Sequence, residues 1–431
     1  MQVLVVSTSV PPFSESSTLQ LVDRVRCLPD FGFEVVVVKP SSLPGVEKSL
    51  AARMPSKARY LETGPTLFDW SMARLSCLPA ATIVRWIFSN LMYRLAVPDV
   101  RVGWNRQVLT TCRVHAGELR PDLILTSSGS YTAHMAGPAL AGLFQAPWVA
   151  DLGDPWSLLD KRKPVLSTRA KLNQRLELRS IPNASGVVFT TEETLAAYRE
   201  WLGSALPRAV AIPTYGFDVR DFAGAPSGVC MDAENIHLSH IGAAFHGNRS
   251  LVPTIRAISA LSAERRVKRK YTLNVIGPHS VRFEKEAERI GFESVFFCGV
   301  VSYSESIAWM KRSGVLLIVG NRGSLQIPGK VYPCLGSGRP ILYLGQTPRR
   351  TDAAASLLER FSGVIYATNE VDSICAAIRE IDERYEELFE EARERLSSPN
   401  IAEYTSPAVS ERFAQFAYDV ASSPVSRSLP S

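Results

Sequence analysis

What most constrains this chain is a recurring alternation of short, branched-aliphatic runs with longer stretches of helical spacing. In the first half the runs fall at 2–7, 34–39, 123–126, 148–151, 186–190 and 209–213. In the second half they return at 235–242, 271–277, 295–298, 315–319, 340–344 and 363–367. Strands that are apolar along their length are buried on both sides, and that burial requires helices above and below a parallel sheet. Helical patterns fill the gaps at 18–28, 134–144, 167–180 and 191–202, then at 250–263, 281–290, 303–312, 328–336, 370–396 and 406–421. A parallel strand is reached from its neighbour only through a crossover, nearly always right-handed. The expected fold class is α/β, with doubly wound parallel sheets.

A chain of 431 residues is longer than one hydrophobic core usually sustains, so two domains are expected. Gly216, Gly224, Pro226 and Gly228 give 218–234 the composition of a loop, and the boundary is drawn there. The organisation expected is 1–217, then 218–400, then 401–431 as a last helix and a tail disordered from 422. Segment 55–114 interrupts the first alternation, with Trp70, Trp86, Ile87, Phe88, Leu91 and Tyr93 interleaved with Arg74, Arg85 and Arg94. Two readings of it stand: a helical insertion packed on the sheet, or an amphipathic surface that meets a membrane or a lipid-linked acceptor.

Composition narrows the class of partner. A hydrophobic share of 46% and a charged share of 21% are those of a globular protein, not of a disordered one. The net charge of +6 is too mild to argue for nucleic acid, and suits an anionic small molecule or a membrane surface. Seven scattered cysteines without a C-x-x-C suggest neither a disulfide framework nor a zinc site, and point to a reducing cytoplasm. The chain opens on a strand pattern rather than a leader, and no stretch of about 18 residues is free of charges and helix breakers. The expected location is cytoplasmic, peripheral on the inner face of the membrane if 55–114 is the amphipathic surface.

In open α/β sheets ligands bind beyond the carboxyl ends of the strands, so the loops there carry the candidates. After the first strand, 8–17 is rich in hydroxyls and opens a helix; Ser9, Ser14 and Ser16 can meet an anion or sugar hydroxyls there. After the run at 148–151, Asp151 and Asp154 flank Gly153. Either acid can orient a hydroxyl or steady a developing positive sugar centre, and either can equally cap a turn before Pro155. His134 follows a Ser-rich turn and is expected to begin a helix, either contacting acceptor or sugar or simply starting that helix.

The second half holds the more specific pattern. The run at 315–319 leads to Pro328, Gly329 and Lys330, where a helix should begin. A lysine beside the free N–H groups and positive dipole end of a helix suits a diphosphate. Arg249 follows Gly242 in the turn before the 250–263 helix, and a guanidinium can hold phosphate bidentately. His237 and His240 have H-x-x-H spacing, but on a strand they face opposite ways and are not read as a metal site. G-x-G-x-x-G, a Walker A sequence and G-x-S-x-G are absent, which removes the main support for a dehydrogenase, a P-loop enzyme or a nucleophilic triad.

Taken together these motifs resemble the retaining glycosyltransferases of family 4. WVADLGDPW at 148–156, preceded by the Ser-rich turn and His134, looks like the core of that family's first domain. IGAAFHGNR at 241–249, NVIGP at 274–278, FCGV at 297–300 and PGKVYPCLGSGRPIL at 328–342 resemble its donor domain in the expected order. The resemblance runs over roughly 1–420. It implies the GT-B fold, with two Rossmann-like domains facing a central cleft and the last helix crossing back to the first domain. It also implies a nucleotide-sugar donor, retention at the anomeric carbon, no metal and no other cofactor.

Carried over by position, Arg249 and Lys330 match the family's basic pair on the donor diphosphate, and Gly242 the glycine beside it. Gly277, Gln326, Ile327 and Val331 fall in the same donor-binding motifs. Asp151 or Asp154 lies where many members carry a catalytic residue, with His134 near it and Ser9, Ser14 and Ser16 on the acceptor side. The implied partners are a nucleotide sugar and a saccharide or lipid-linked acceptor. The departures are Pro333 and Cys334 where many members hold the ribose with a Glu, Gln326 near where the first Glu of an E-x7-E pair would lie, and no Gly-Gly in the first loop. They keep two alternatives open: a GT-B sugar-nucleotide epimerase, and a non-catalytic GT-B partner or scaffold.

Overall fold

The computed structural model describes the chain except for 12–15, 42–52, 76–80, 128, 159–166, 226–230, 232–233, 246, 248, 265, 324 and 424–431, and the side chains of 81, 167 and 350. It divides into two compact units, one of Met1–Thr214 with the chain from Val409 onward, the other Tyr215–Ala408.

In the first unit, β1 (Gln2–Val6), β2 (Glu34–Pro40), β3 (Arg59–Thr63), β4 (Leu123–Ser127), β5 (Trp148–Asp151), β6 (Gly186–Phe189) and β7 (Ala209–Ala211) form one sheet. Its order is β3-β2-β1-β4-β5-β6-β7, and every pairing is parallel. The helices are α1 (Ser16–Val25), α2 (Leu67–Leu75), α3 (Ala81–Leu95), α4 (Trp104–Val114), α5 (Tyr131–His134), α6 (Gly137–Phe144), α7 (Ser167–Ser180) and α8 (Glu192–Leu202). Successive strand residues point to opposite faces, and both faces are covered. Val3, Val5, Val35, Val37 and Leu125 pack with Leu21 and Val22 of α1 on one side. Leu4, Val6, Val36, Val38 and Ile124 pack with Trp104 of α4, Leu140 of α6 and Tyr198 of α8 on the other.

In the second unit, β8 (Asn235–Ile241), β9 (Lys270–Ile276), β10 (Val295–Gly299), β11 (Val315–Val319), β12 (Ile341–Gly345) and β13 (Val364–Thr368) form a parallel sheet in the order β10-β9-β8-β11-β12-β13. Its helices are α9 (Val219–Ala223), α10 (Val252–Ala263), α11 (Val281–Arg289), α12 (Tyr303–Arg312), α13 (Val331–Gly336), α14 (Ala353–Leu358), α15 (Val371–Glu394) and α16 (Pro399–Ala402). The final helix, α17 (Ser406–Ala421), turns Val409, Phe413, Ala417 and Val420 into the core beneath β1, β4 and β6 of the first unit. Those four recur at helical spacing on one face, which is why this helix is amphipathic.

The sheet orders reverse between β1 and β4 in one unit and between β8 and β11 in the other. At such a switch point the following helices depart to opposite faces and leave a crevice at the strand ends.

Three expectations are corrected in detail. The segment 218–234 is not loop throughout: Asp218 accepts from the Arg220 N–H and caps α9. The 55–114 insertion contributes β3 as an edge strand besides α2, α3 and α4. His134 ends the short α5 rather than beginning a helix, and α6 starts only at Gly137. Among the described residues no helix is long and apolar enough to cross a membrane, and no cluster of three His, Cys, Asp or Glu could hold a metal.

Candidate active site

At the β8–β11 switch point of the second unit, two glycines bring backbones close. Gly242 follows β8 with φ 109° and Gly277 follows β9 with φ 124°, both in the region that favours glycine. The Gly242 N–H donates to Ile276 O at 2.7 Å. A Cβ on Gly277 would come within 2.8 Å of Gly242 O, and a Cβ on Gly242 within 3.4 Å of Lys330 Nζ. The first substitution would clash with backbone; the second would only touch the ammonium, and at 242 it is the positive φ that favours glycine.

Lys330 is held in place from below. The Pro328–Gly329 turn that precedes it packs on Tyr215, whose ring a Cβ at Gly329 would meet at 2.7 Å. Its Nζ lies 3.0 Å from His240 Nε2, and the His240 Nδ1 lies 3.2 Å from Leu317 O. A carbonyl only accepts, so Nδ1 carries the proton and Nε2 presents its lone pair to the ammonium. Burial, then Lys330 and Arg249, pushes the His240 pKa well below the ordinary value, so the ring is neutral. Burial, then the Arg249 guanidinium, pushes Lys330 down to about 7. Among the described residues no carboxylate pairs with Lys330.

Arg249 reaches the same switch point from the turn before α10. Its Nε and Nη2 both donate to Asn321 Oδ1, at 3.0 and 2.8 Å, just beyond β11. The guanidinium is thus aimed by a neutral carboxamide. The Arg249 guanidinium disfavours the charge on Lys330, and a bound anion relieves that cost.

The start of α13 differs from the expectation of open backbone donors. The helix runs six residues, and its first two N–H groups donate to Pro328 O at 2.9 Å and Gly329 O at 3.3 Å. The positive charge here comes from side chains. Val331 is fully buried in the apolar cluster under the helix and serves to anchor it, with Ile327 half-buried against the same cluster. Gln326 is half-buried two residues before Pro328. Pro333 sits in the first turn, where a missing N–H costs no helical bond, and burial pushes the neighbouring Cys334 thiol up to about 12.

In the first unit the two acids differ in their surroundings. Asp151, at the end of β5, is fully buried against Arg24 of α1, at 3.2 Å. Gln20 and Ser127 also donate to it, each at 3.0 Å. Arg24 spends its other donors on Pro213 O and Ile212 O, so the buried pair is enclosed by hydrogen bonds. Asp154, three residues on, is exposed.

The loop carrying Asp154 is fastened on every side. Thr190 donates to Gly153 O at 3.0 Å, and Tyr131 to Pro155 O at 3.2 Å. Trp156 stacks on Tyr131 with centroids 5.2 Å apart and donates its indole N–H to Asn173 of α7. The Tyr198 hydroxyl accepts from the Trp156 backbone and donates to Glu177, which also accepts from the Ser157 N–H. A carboxylate at the apex of so constrained a loop is preorganised.

The other candidates are placed as follows. His134 is fully buried; the Thr126 hydroxyl accepts from the Trp148 indole and lies 2.8 Å from His134 Nδ1. Burial pushes this histidine down to about 3, so it is a neutral ring, and its Nε2 has no partner among the described residues. Ser9 is buried, accepting from Ser17 Oγ at 2.8 Å, and a Cβ at Gly129 would collide with it. Ser16 is exposed at the start of α1, and Ser14 lies outside the described residues. Sequence reasoning missed His240, Asn321 and Arg24. Only the position of His240 two residues before Gly242, at a strand end, was a signal available in advance.

No protein-family model matches the sequence, and no curated protein matches it. Solved structures match almost the whole chain. HepE of Anabaena, solved in complex with UDP and glucose, superposes with a TM-score of 0.63 at 15% identity, over 97% of this chain and 100% of that one. Sucrose-phosphate synthase from Thermosynechococcus elongatus gives 0.66 at 14% identity over 97% and 98%. The alpha,alpha-trehalose 6-phosphate synthase of Burkholderia multivorans gives 0.66 at 16% over 97% and 96%. At such identities the likeness is one of architecture: two Rossmann-like parallel-sheet domains, the GT-B fold.

Proposed function

We propose that this protein is a retaining glycosyltransferase that transfers a hexose from a nucleotide sugar to a saccharide or lipid-linked acceptor, without a metal. The observation that carries the reading is the pairing of Lys330, seated on a neutral His240, with Arg249, aimed by Asn321, at one switch point. A diphosphate leaving group needs positive charge more than it needs a proton. As the C1–O bond breaks, these two side chains meet the charge that gathers on the departing phosphate, the role a divalent cation fills in other enzymes. The acceptor oxygen bonds C1 on the same face, and its proton passes to the departing phosphate oxygen. Asp154 is the acid we assign to steady the positive charge on the sugar, because Asp151 is committed to Arg24.

The solved complexes of HepE with UDP-glucose and with UDP and glucose support a uridine nucleotide sugar as the first donor to try. The same reading puts the enzyme in the cytoplasm, on the inner face of the membrane when the acceptor is lipid-linked. One observation favours a non-catalytic GT-B protein instead: Pro333 and Cys334 leave no carboxylate in the first turn of α13. Incubating the protein with UDP-glucose and following UDP release with and without added saccharides separates the readings. Release that depends on Lys330, with the product's anomeric configuration kept, supports the transferase. Epimerised donor without acceptor, or tight donor binding with no turnover, contradicts it.

A further inference from the structure

The hairpin of α2 and α3 has no buried residue described on either helix. Its inner contacts are modest: Phe68 of α2 meets Phe88 and Tyr93 of α3, each with centroids 6.0 Å apart. Val84, Phe88 and Met92 form that half-buried inner stripe. The adjoining stripe of α3 is just as apolar and lies in solvent. Ile83 is 63% exposed, Trp86 67%, Ile87 54%, Leu91 51% and Leu95 63%. They recur every three or four residues, so they share one face. Large apolar side chains gathered on the solvent side of a helix have no reason to stay in water, and an exposed patch of this kind marks an interaction surface.

Charge decides what covers it. Arg94 lies within the stripe and Arg85 on another exposed side of the same helix, and α3 contains no acid. Arg74 of α2 lies over the exposed Trp70 ring, 4.4 Å from its centroid. The α2 acid, Asp69, is engaged by Thr66 at 2.6 Å and Arg101 at 3.8 Å. The start of α7 is tied to the end of α3, because Arg169 donates to Tyr93 O and Arg94 O at 2.9 and 3.2 Å. The exposed side of α7 continues the pattern with Lys171, Leu172, Arg175, Leu178 and Arg179, while its acid, Glu177, is buried. Aromatic and aliphatic side chains bordered by cations, with acids turned inward, match the headgroup region of an anionic bilayer.

We infer that α2, α3 and the exposed side of α7 dock the protein on an anionic phospholipid surface, with Trp86, Ile87 and Leu91 entering the headgroup layer. The surface belongs wholly to the first unit and rests on no part of the donor-site reading, so loss of that reading leaves it standing. It is tested by co-sedimenting the full chain with phosphatidylcholine vesicles, with and without phosphatidylglycerol. Wild type is expected in the pellet with the anionic vesicles only, less so as salt is raised. W86S/I87S and R85E/R94E are each expected to lower the bound fraction roughly tenfold or more, with unchanged thermal melts, since all four side chains lie in solvent. Failure of wild type to sediment, equal binding to neutral vesicles, or undiminished binding by both variants overturns the inference. So does a dimer in sedimentation velocity that W86S/I87S dissolves while vesicles capture nothing, which would assign the face to a second copy.

Discussion

The carboxyl edges of the two sheets have the same topology and opposite electrostatics. In the first unit a buried carboxylate, Asp151, is met by a buried guanidinium, and the spare donors of Arg24 close on two backbone carbonyls. In the second unit the ammonium of Lys330 rests on a neutral imidazole, and the nearby guanidinium of Arg249 on a neutral amide. A charge paired inside the protein is a structural commitment, because removing either member strands the other in a poor solvent. A lysine seated on a neutral ring is well positioned without a carboxylate taking up its charge among the described residues, and that is an arrangement an anionic ligand completes.

The sharpest way to break the contrast is to treat the paired side as if it were functional. Arg24→Ala should lower stability by about 3–5 kcal/mol in chemical denaturation, because Asp151 is left buried without its countercharge. Adding Asp151→Ala to it should recover part of the loss. A midpoint that does not move would mean the pair is not structural. On the other side, His240→Ala should weaken donor binding roughly tenfold to a hundredfold by releasing Lys330, with a smaller change in turnover of bound donor. If kcat alone fell, His240 would act in the chemistry rather than in positioning.

Smaller effects sharpen the picture. Asp154→Asn should cut turnover roughly tenfold to a hundredfold and move the melt less than the loss of a buried acid, since the side chain is exposed. Asp151→Asn should do the reverse, lowering the melt first. The smallest expected effect is on pH. With Lys330 at about 7, donor affinity should fall as pH rises past 7, by at most about tenfold per unit, because the bound anion favours the protonated amine. Without donor the sign for stability is opposite: between about 7 and the ordinary value of 10.5 the unfolded chain holds a proton the folded chain has released. This residue's contribution therefore rises with pH across that window. Titration calorimetry across pH, beside denaturant melts of Lys330→Met, checks both signs.

Much of the fold was legible because most strands are covered on both faces and so read as continuous apolar runs. β3 escaped for the opposite reason: RYLET is an edge strand with three of its five side chains exposed, and its polar residues hide it. The beginning of α13 was placed too early because Pro328 and Gly329 form a turn whose carbonyls consume the first helical N–H groups. Lys330, Arg249 and Gly242 could be picked out as strand-end residues. Their partners could not, since His240 and Asn321 meet them only through the order β9-β8-β11, which pattern does not specify. That Asp151 is held by Arg24 was hidden for a similar reason: the two lie 127 residues apart in sequence.

The central claim is that the side-chain cations at the β8–β11 switch point bind a pyrophosphate. Calorimetric titration of wild type, Lys330→Ala and Arg249→Ala with UDP, GDP, ADP and dTDP tests it most directly. The account predicts that wild type binds at least one of the four and that each variant weakens that binding tenfold or more while keeping the far-ultraviolet circular dichroism of the folded wild type. No binding of any of the four by wild type, or variants that bind as tightly as wild type, would contradict it.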